Sequence, residues 1–385
     1  MSSLEVEIER ILPGGYGLAH AAGHTVFVAL AAPGDRLRVR VDRQQGNVLF
    51  ASIEEILVAS PDRIEPPCPY FGRCGGCDFQ QLTYQKQLAA KAEIIRDCLH
   101  RIARLENVPE IVVTPSPRDW RYRLRATWQI DREQQRIGYY ERGSRRVCDV
   151  ADCAVLLPEL QATLERVRAT EWPKFPVDLK HLEVVAGENG VSLSPAFAEF
   201  ATAELELTIA GESYSYNAAA FFQINPALLP PLIEFALSDA AGNAALDLYC
   251  GVGLFTLPLA RHFARVTGVE ANPVAAKFAR RNLQRGGLEN ARVITAGVAE
   301  WISAKPLQTD FVLLDPPRAG AESVVIKAIV ESRAERVSYV SCDPATLARD
   351  LKKLIGGGYA IESLAAFDLF PQTHHVETVV RLHLG

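Results

Sequence analysis

The sequence predicts an α/β chain built on a doubly wound, Rossmann-like sheet, preceded by a small β-barrel and a central α+β segment. Three observations carry this. From about residue 205, short apolar strands alternate with helices, as in "AALDLYC", "VAAKFARRNLQ", "FVLLDPP", "VSYVSC" and "TLARDLKKLI". That alternation is the pattern of a parallel sheet with helices on both faces. Residues 1–58 instead run as short strands separated by glycine-rich turns. Between the two lies a proline-rich stretch that opens onto a cysteine cluster, "CPYFGRCGGC".

Taken in order, "VEIERI", "HTVFVAL", "RLRVRVD" and "NVLFASIEEI" alternate as barrel strands do, with turns at "LPGGYG" and "AAPGD". The four prolines of "ASPDRIEPPCPY" mark a linker. In residues 83–104, Leu88, Ile95, Leu99 and Ile102 recur near helical spacing, so a helix is expected there. Residues 120–150 read as a β-hairpin region and 155–168 as a second helix. The units expected are 1–58, 59–205 and 206–385. No internal repeat or low-complexity segment interrupts them.

Composition narrows the function classes. The chain has 385 residues, 48% of them apolar, enough for two or three ordinary cores. "MSSLEVEIER" has no basic and apolar leader, and no apolar run reaches the roughly 20 residues of a membrane span. A cytoplasmic, soluble protein with no membrane partner is expected. Eight cysteines in such a compartment point to metal binding or catalysis in preference to disulfides. The net charge of −5 is uninformative, but residues 118–146 carry nine arginines against four acids. Trp120, Tyr122, Trp128, Tyr139 and Tyr140 are interleaved with them. Arginines and aromatics on one surface suit RNA phosphates and stacked, unpaired bases; a solvated hairpin is the plainer alternative.

The candidate chemistry collects at strand ends. "LDLYCGVGLFTLPLA" reads as a buried strand, a Gly-x-Gly turn and a helix. Nineteen residues after Gly251, Glu270 ends the next strand, where an acid can grip both hydroxyls of a ribose. Phe255 and Thr256 stand where a dinucleotide-binding turn has its third glycine, so S-adenosylmethionine, with one ribose and no phosphate, fits better than a pyrophosphate. "FVLLDPPRAG" delivers Asp315 and a rigid proline pair at the same sheet edge.

Cys342, in "YVSCDPATLARDL", ends a further strand just before a helix start. A helix N-terminus favours the thiolate, so a lowered thiol pKa is expected. A thiolate suits conjugate addition to C6 of a pyrimidine, which makes C5 nucleophilic; a base must later remove the C5 proton. Glu377, inside the apolar "VETVV", is the candidate base, with His374 and His375 as competitors. Cys68, Cys74 and Cys77 have C-x5-C-x2-C spacing, with Cys148 or Cys153 available as a fourth ligand. Spacing alone leaves zinc and an iron–sulfur cluster equally open. Cys98 and Cys250 read as packing residues.

These residues together resemble the RNA uracil-5 methyltransferases, closest to those acting on 23S rRNA. The matching stretches are "FFQIN", "DLYCGVGLFTL", "GVEANPVAAKFARRN", "DPPRAG", "SCDPATLARDL", "FPQTHHVETV" and "PCPYFGRCGGCDFQQLTYQKQLAAK". The first 58 residues look like the family's OB-like TRAM barrel. The resemblance implies a SAM-dependent methyltransferase domain at 206–385 and an iron–sulfur and RNA-binding segment at 59–205. It makes Cys342 the nucleophile and Glu377 the base, and assigns Gln223, Tyr249, Glu270 and Asp315 to SAM. It gives a [4Fe-4S] cluster held by Cys68, Cys74, Cys77 and Cys153. Leu254 and Gly297 depart from polar residues that many members carry. The implied substrate is 23S rRNA, with the tRNA T-loop uridine-54 second and the enzyme acting as a monomer. Arg318, where cytosine-5 methyltransferases carry cysteine, disfavours a cytosine target. A non-catalytic RNA-binding protein is the remaining alternative.

Overall fold

A computed structural model describes residues 3–304 and 307–385. Near the N-terminus, six strands between Ser3 and Val58 form one curled sheet. Their alternation turns Val6, Ile8, Val26, Val28, Leu37 and Val39 into a private core. Gly17 is needed there: a Cβ on it would lie 2.8 Å from that of Ala31.

The helix expected at 83–104 runs from Tyr84 to Arg101, capped by the Thr83 side chain. Its buried face differs from the aliphatic stripe read in the sequence. Gln87 and Lys91 are buried with Ala90, Ile94, Ile95, Cys98 and Leu99, whereas Leu88 is half-buried and Ile102 exposed. The expected hairpin, Arg125–Asp131 with Arg136–Tyr140, belongs to a five-stranded sheet completed by Val147–Asp149, His181–Gly187 and Gly190–Ser194. The second helix spans Pro158–Ala169. The aromatic surface expected on the hairpin is largely core: Trp128 is 0% exposed and Tyr122 is buried, while Tyr140 is 43% exposed. Arginines 121, 125 and 168 are tied to Asp152, Glu183 and Asp149.

The large sheet has eight strands, in the order 291–295, 263–270, 242–248, 311–314, 336–341, 377–384, 359–367 and 113–114. The five from 291–295 to 336–341 run parallel, as expected. The strand Glu377–Leu384 runs antiparallel to both its neighbours. Its first residue therefore lies at the edge where the parallel strands end. Helices pack on the sheet; Pro344–Gly356 starts from Asp343, whose carboxylate accepts from the N–H groups of Ala345 and Thr346. No described helix is long and apolar enough to cross a membrane.

Candidate active site and cysteine cavity

The chain order of the strands reverses between 242–248 and 311–314, so a crevice opens at their carboxyl ends. The candidate residues collect there. Tyr249 follows the first strand with φ +65°, and its hydroxyl is committed to Glu322. Gly251 has φ +55°, and a Cβ built on it would meet nothing within 4 Å, so the turn leaves open space. Glu270 ends the neighbouring strand and accepts from Gly251 N–H at 2.9 Å and Asn272 N–H at 2.6 Å. Asp315 accepts from Gln223 Nε2 at 3.3 Å. Burial pushes the Asp315 carboxyl up to about 7. The "FFQIN" loop is held by the central segment: Leu124 N–H donates to Ile224 O at 2.7 Å, and Arg125 Nη1 donates to Ala220 O at 2.7 Å. Leu254 is buried, and its carbonyl accepts from Tyr214. Gly297 caps a short helix at φ −62°, a conformation any residue adopts.

Register brings the thiol and the carboxylate together. Ser341 pairs with Thr378 at the end of the antiparallel ladder, so Cys342 and Glu377 flank that last pair, and the charge of Glu377 acts on the thiol. Glu377 is buried, and burial followed by the charge of Asp315 raises its pKa well above the ordinary value, with Arg318 opposing. His375 is driven down to about 2, first by burial and then by His374 and Arg318, which makes it a feeble base. The expectation of a lowered thiol pKa at Cys342 does not hold. Burial, then Glu377, push it up to about 12, with only Arg318 among the main influences favouring the thiolate. The helix N-terminus is present but does not outweigh the loss of water.

Cys68, Cys74, Cys77 and Cys153 line one small cavity that is partly open to solvent. Cys148 is buried in its strand and is not among the lining residues. Among the described residues no three His, Cys, Asp or Glu side chains converge closely enough to hold a single metal ion. Burial pushes Cys74 and Cys77 up to about 12, so without a cation the thiols keep their protons. Arg123 and Tyr139 also line the cavity; the Arg123 Nε is buried without a partner, and the Tyr139 hydroxyl lies against Cys153. Four sulfurs with the half-buried Arg123 guanidinium beside them are a donor set that suits an anionic sulfur-rich cluster. Cys98 and Cys250 are buried, as packing residues are.

Several residues here escaped the sequence reading. Arg123 was expected on an RNA-facing surface. Asp78, Gln87 and Lys91, which hold the turn ahead of Glu377, look like ordinary surface polars. The available signal was a polar i, i+4 pair, Gln87 and Lys91, in line with the apolar stripe of a helix.

Residues 181–384 match the family described as tRNA (Uracil-5-)-methyltransferase. The 23S rRNA (uracil(1939)-C(5))-methyltransferase RlmD of Pseudomonas putida is 34% identical over 99% of this chain and 93% of its own length. An RNA methyltransferase of Gloeobacter violaceus is also 34% identical, over 99% of this chain and 96% of its own. The crystal structure of Pyrococcus abyssi tRNA (uracil-54, C5)-methyltransferase in complex with S-adenosyl-L-homocysteine superposes with a TM-score of 0.76 at 25% identity. It covers 98% of this chain and 100% of that one. With motifs, fold and full-length relatives in agreement, this chain belongs to the RNA (uracil-5-)-methyltransferases, which use S-adenosylmethionine as methyl donor.

Proposed function

We propose that the protein methylates C5 of a uridine in 23S rRNA, with Cys342 as nucleophile and Glu377 as general base. The observation that supports this most is that Cys342 and Glu377 flank the last pair of the antiparallel ladder, at the edge that also carries Asp315 and Glu270. Gln223, Tyr249, Glu270 and Asp315 would hold S-adenosylmethionine. Tyr249 would contribute its ring or backbone, since its hydroxyl is engaged. Bound in this crevice, the donor supplies a methyl group to the ring.

The chain's own groups do the rest. Cys342 gives its proton to water, and the thiolate Sγ supplies the electron pair for a bond to C6. The C5–C6 π pair moves towards O4, and returns through C5 to bond the methyl carbon. Glu377, whose burial makes its carboxylate a stronger base, then takes the C5 proton. The C5–H pair re-forms the double bond, and Sγ leaves with its electrons. The uridine must leave its stack to reach this buried edge. The Ser3–Val58 sheet would be the TRAM barrel of a 1–58 unit. Residues 59–205 would form the RNA-binding unit, and 206–385 the methyltransferase unit. In the 59–205 unit, Cys68, Cys74, Cys77 and Cys153 would ligate a [4Fe-4S] cluster, which would crosslink the linker to the end of the hairpin region.

The substrate reading rests on the rRNA-modifying relatives, of which the Pseudomonas enzyme spans nearly this whole chain. A tRNA target is the second reading, favoured by the Pyrococcus structure. Incubation of 23S rRNA and tRNA transcripts with methyl-labelled donor separates them, and the expected product is 5-methyluridine in 23S rRNA. Cys342→Ala should abolish labelling. Glu377→Gln should leave protein and RNA covalently joined on a denaturing gel. Labelling by Cys342→Ala at the normal rate would overturn the mechanism.

A further inference from the structure

The turn 368–375 leads directly into Glu377, and the residues that grip it come from the segment following the cysteine loop. Asp78 is the neighbour of Cys77. Its Oδ1 accepts from the His374 N–H at 2.8 Å, and its Oδ2 meets His374 Nδ1 at 2.5 Å. The N–H groups of Asp78 and Phe79 both donate to Gln372 O at 3.1 Å. The Gln87 amide exchanges two bonds with Gln372: its Nε2 donates to Oε1 at 2.9 Å, and its Oε1 accepts from Gln372 N–H at 3.0 Å. Tyr122 OH donates to Pro371 O at 2.9 Å. At the centre of this grip Gln372 is buried with φ +68°. The left-handed backbone region is strained for a residue with a side chain, and such a conformation persists only where its surroundings over-determine it.

We propose that Asp78 and Gln87 are positioning residues for Glu377: they lock the turn at Gln372 and His374 and thereby fix the carboxylate beside Cys342. This rests on the reading of Glu377 as the base. The locked turn matters to one step only. Formation of the Cys342–C6 bond needs the thiol and the ring, whereas its release needs the carboxylate within reach of the C5 proton. A carboxylate displaced by about 1 Å loses on the order of 100-fold in rate. The proposal also gives the cysteine loop a place in the reaction, since one turn of chain supplies both a cavity thiol and the hook on His374.

The test uses the full chain with its iron–sulfur absorbance recorded, in the variants Asp78→Ala, Gln87→Leu and Glu377→Gln. Donor affinity, the rate of covalent adduct formation with RNA, and the rate of adduct release are measured separately. Asp78→Ala and Gln87→Leu should bind donor within about twofold of the parent and form adduct at the parent rate. They should release it roughly 10- to 100-fold more slowly, so that the adduct persists. Release at the parent rate in both variants overturns the proposal. So does a parallel fall in donor binding, adduct formation and release, which would mark a purely structural role. Gln87 does not line the cysteine cavity, so Gln87→Leu carries the test if Asp78→Ala loses its iron. If Glu377→Gln traps no adduct, the base assignment itself is wrong. If it traps adduct and the other two do not, only the positioning role is wrong.

Discussion

Lys91 and Asp368 form an ion pair with both side chains 0% exposed. Burial pulls the Lys91 pKa down, and Asp368 opposes that pull. Asp368 also accepts from Tyr84 OH at 2.9 Å, and Lys91 Nζ donates to Phe370 O at 3.1 Å. Asp368→Asn keeps an acceptor for Tyr84 but leaves the ammonium with one carbonyl. Removing one partner of a fully buried pair costs about 3–5 kcal/mol, because the other charge is stranded. Against a total stability of about 5–15 kcal/mol that is a large share. Lys91→Met alone should be costly as well, since Asp368 then retains only Tyr84 as a side-chain donor. The double variant should recover much of the loss, with a coupling energy of roughly 2–3 kcal/mol. Equilibrium urea unfolding of the four proteins at pH 7 closes the cycle. A cost below about 1 kcal/mol for Asp368→Asn would refute the reasoning, because it would mean that water already reaches the pair.

Two further outcomes follow from the thiols. Cys153→Ser should lower bound iron and visible absorbance, while Cys148→Ser, outside the cavity lining, should leave both near the parent level; equal losses would reverse the choice of ligand. Cys342, pushed up to about 12, is protonated at pH 7, and its thiolate fraction grows about tenfold per pH unit below that value. Its alkylation by iodoacetamide, followed by mass spectrometry, should therefore climb from pH 7 to pH 10 without levelling off. A plateau below pH 8 would show a thiolate already formed.

Much of this site was legible because Glu270, Asp315 and Cys342 each terminate an apolar run. A strand that ends in a polar residue announces its sheet edge. Glu377 was harder. Val376, Thr378, Val379 and Val380 are all buried, so no alternation of exposed and buried positions marks the strand's faces. Nor does its sequence reveal that it runs against its neighbours, the fact that brings it to Cys342. The thiol's pKa was misjudged because local sequence reports the helix start but not the water excluded by distant elements. The arginine-rich hairpin misled for the same reason: Trp128 sits in a sheet completed by two strands, 181–187 and 190–194, that lie more than 50 residues further on. The grip on Gln372 joins positions 285 residues apart and involves glutamines, which hydropathy assigns to the surface.

The strand Glu377–Leu384 is inserted between 336–341 and 359–367. A ribosome delivers the cysteine cavity, the glycine turn and the reactive thiol first, and a gap stays open in the growing sheet until this strand arrives. On the roles proposed for Cys342 and Glu377, a nascent chain would display its sulfur before it owned the carboxylate that expels it.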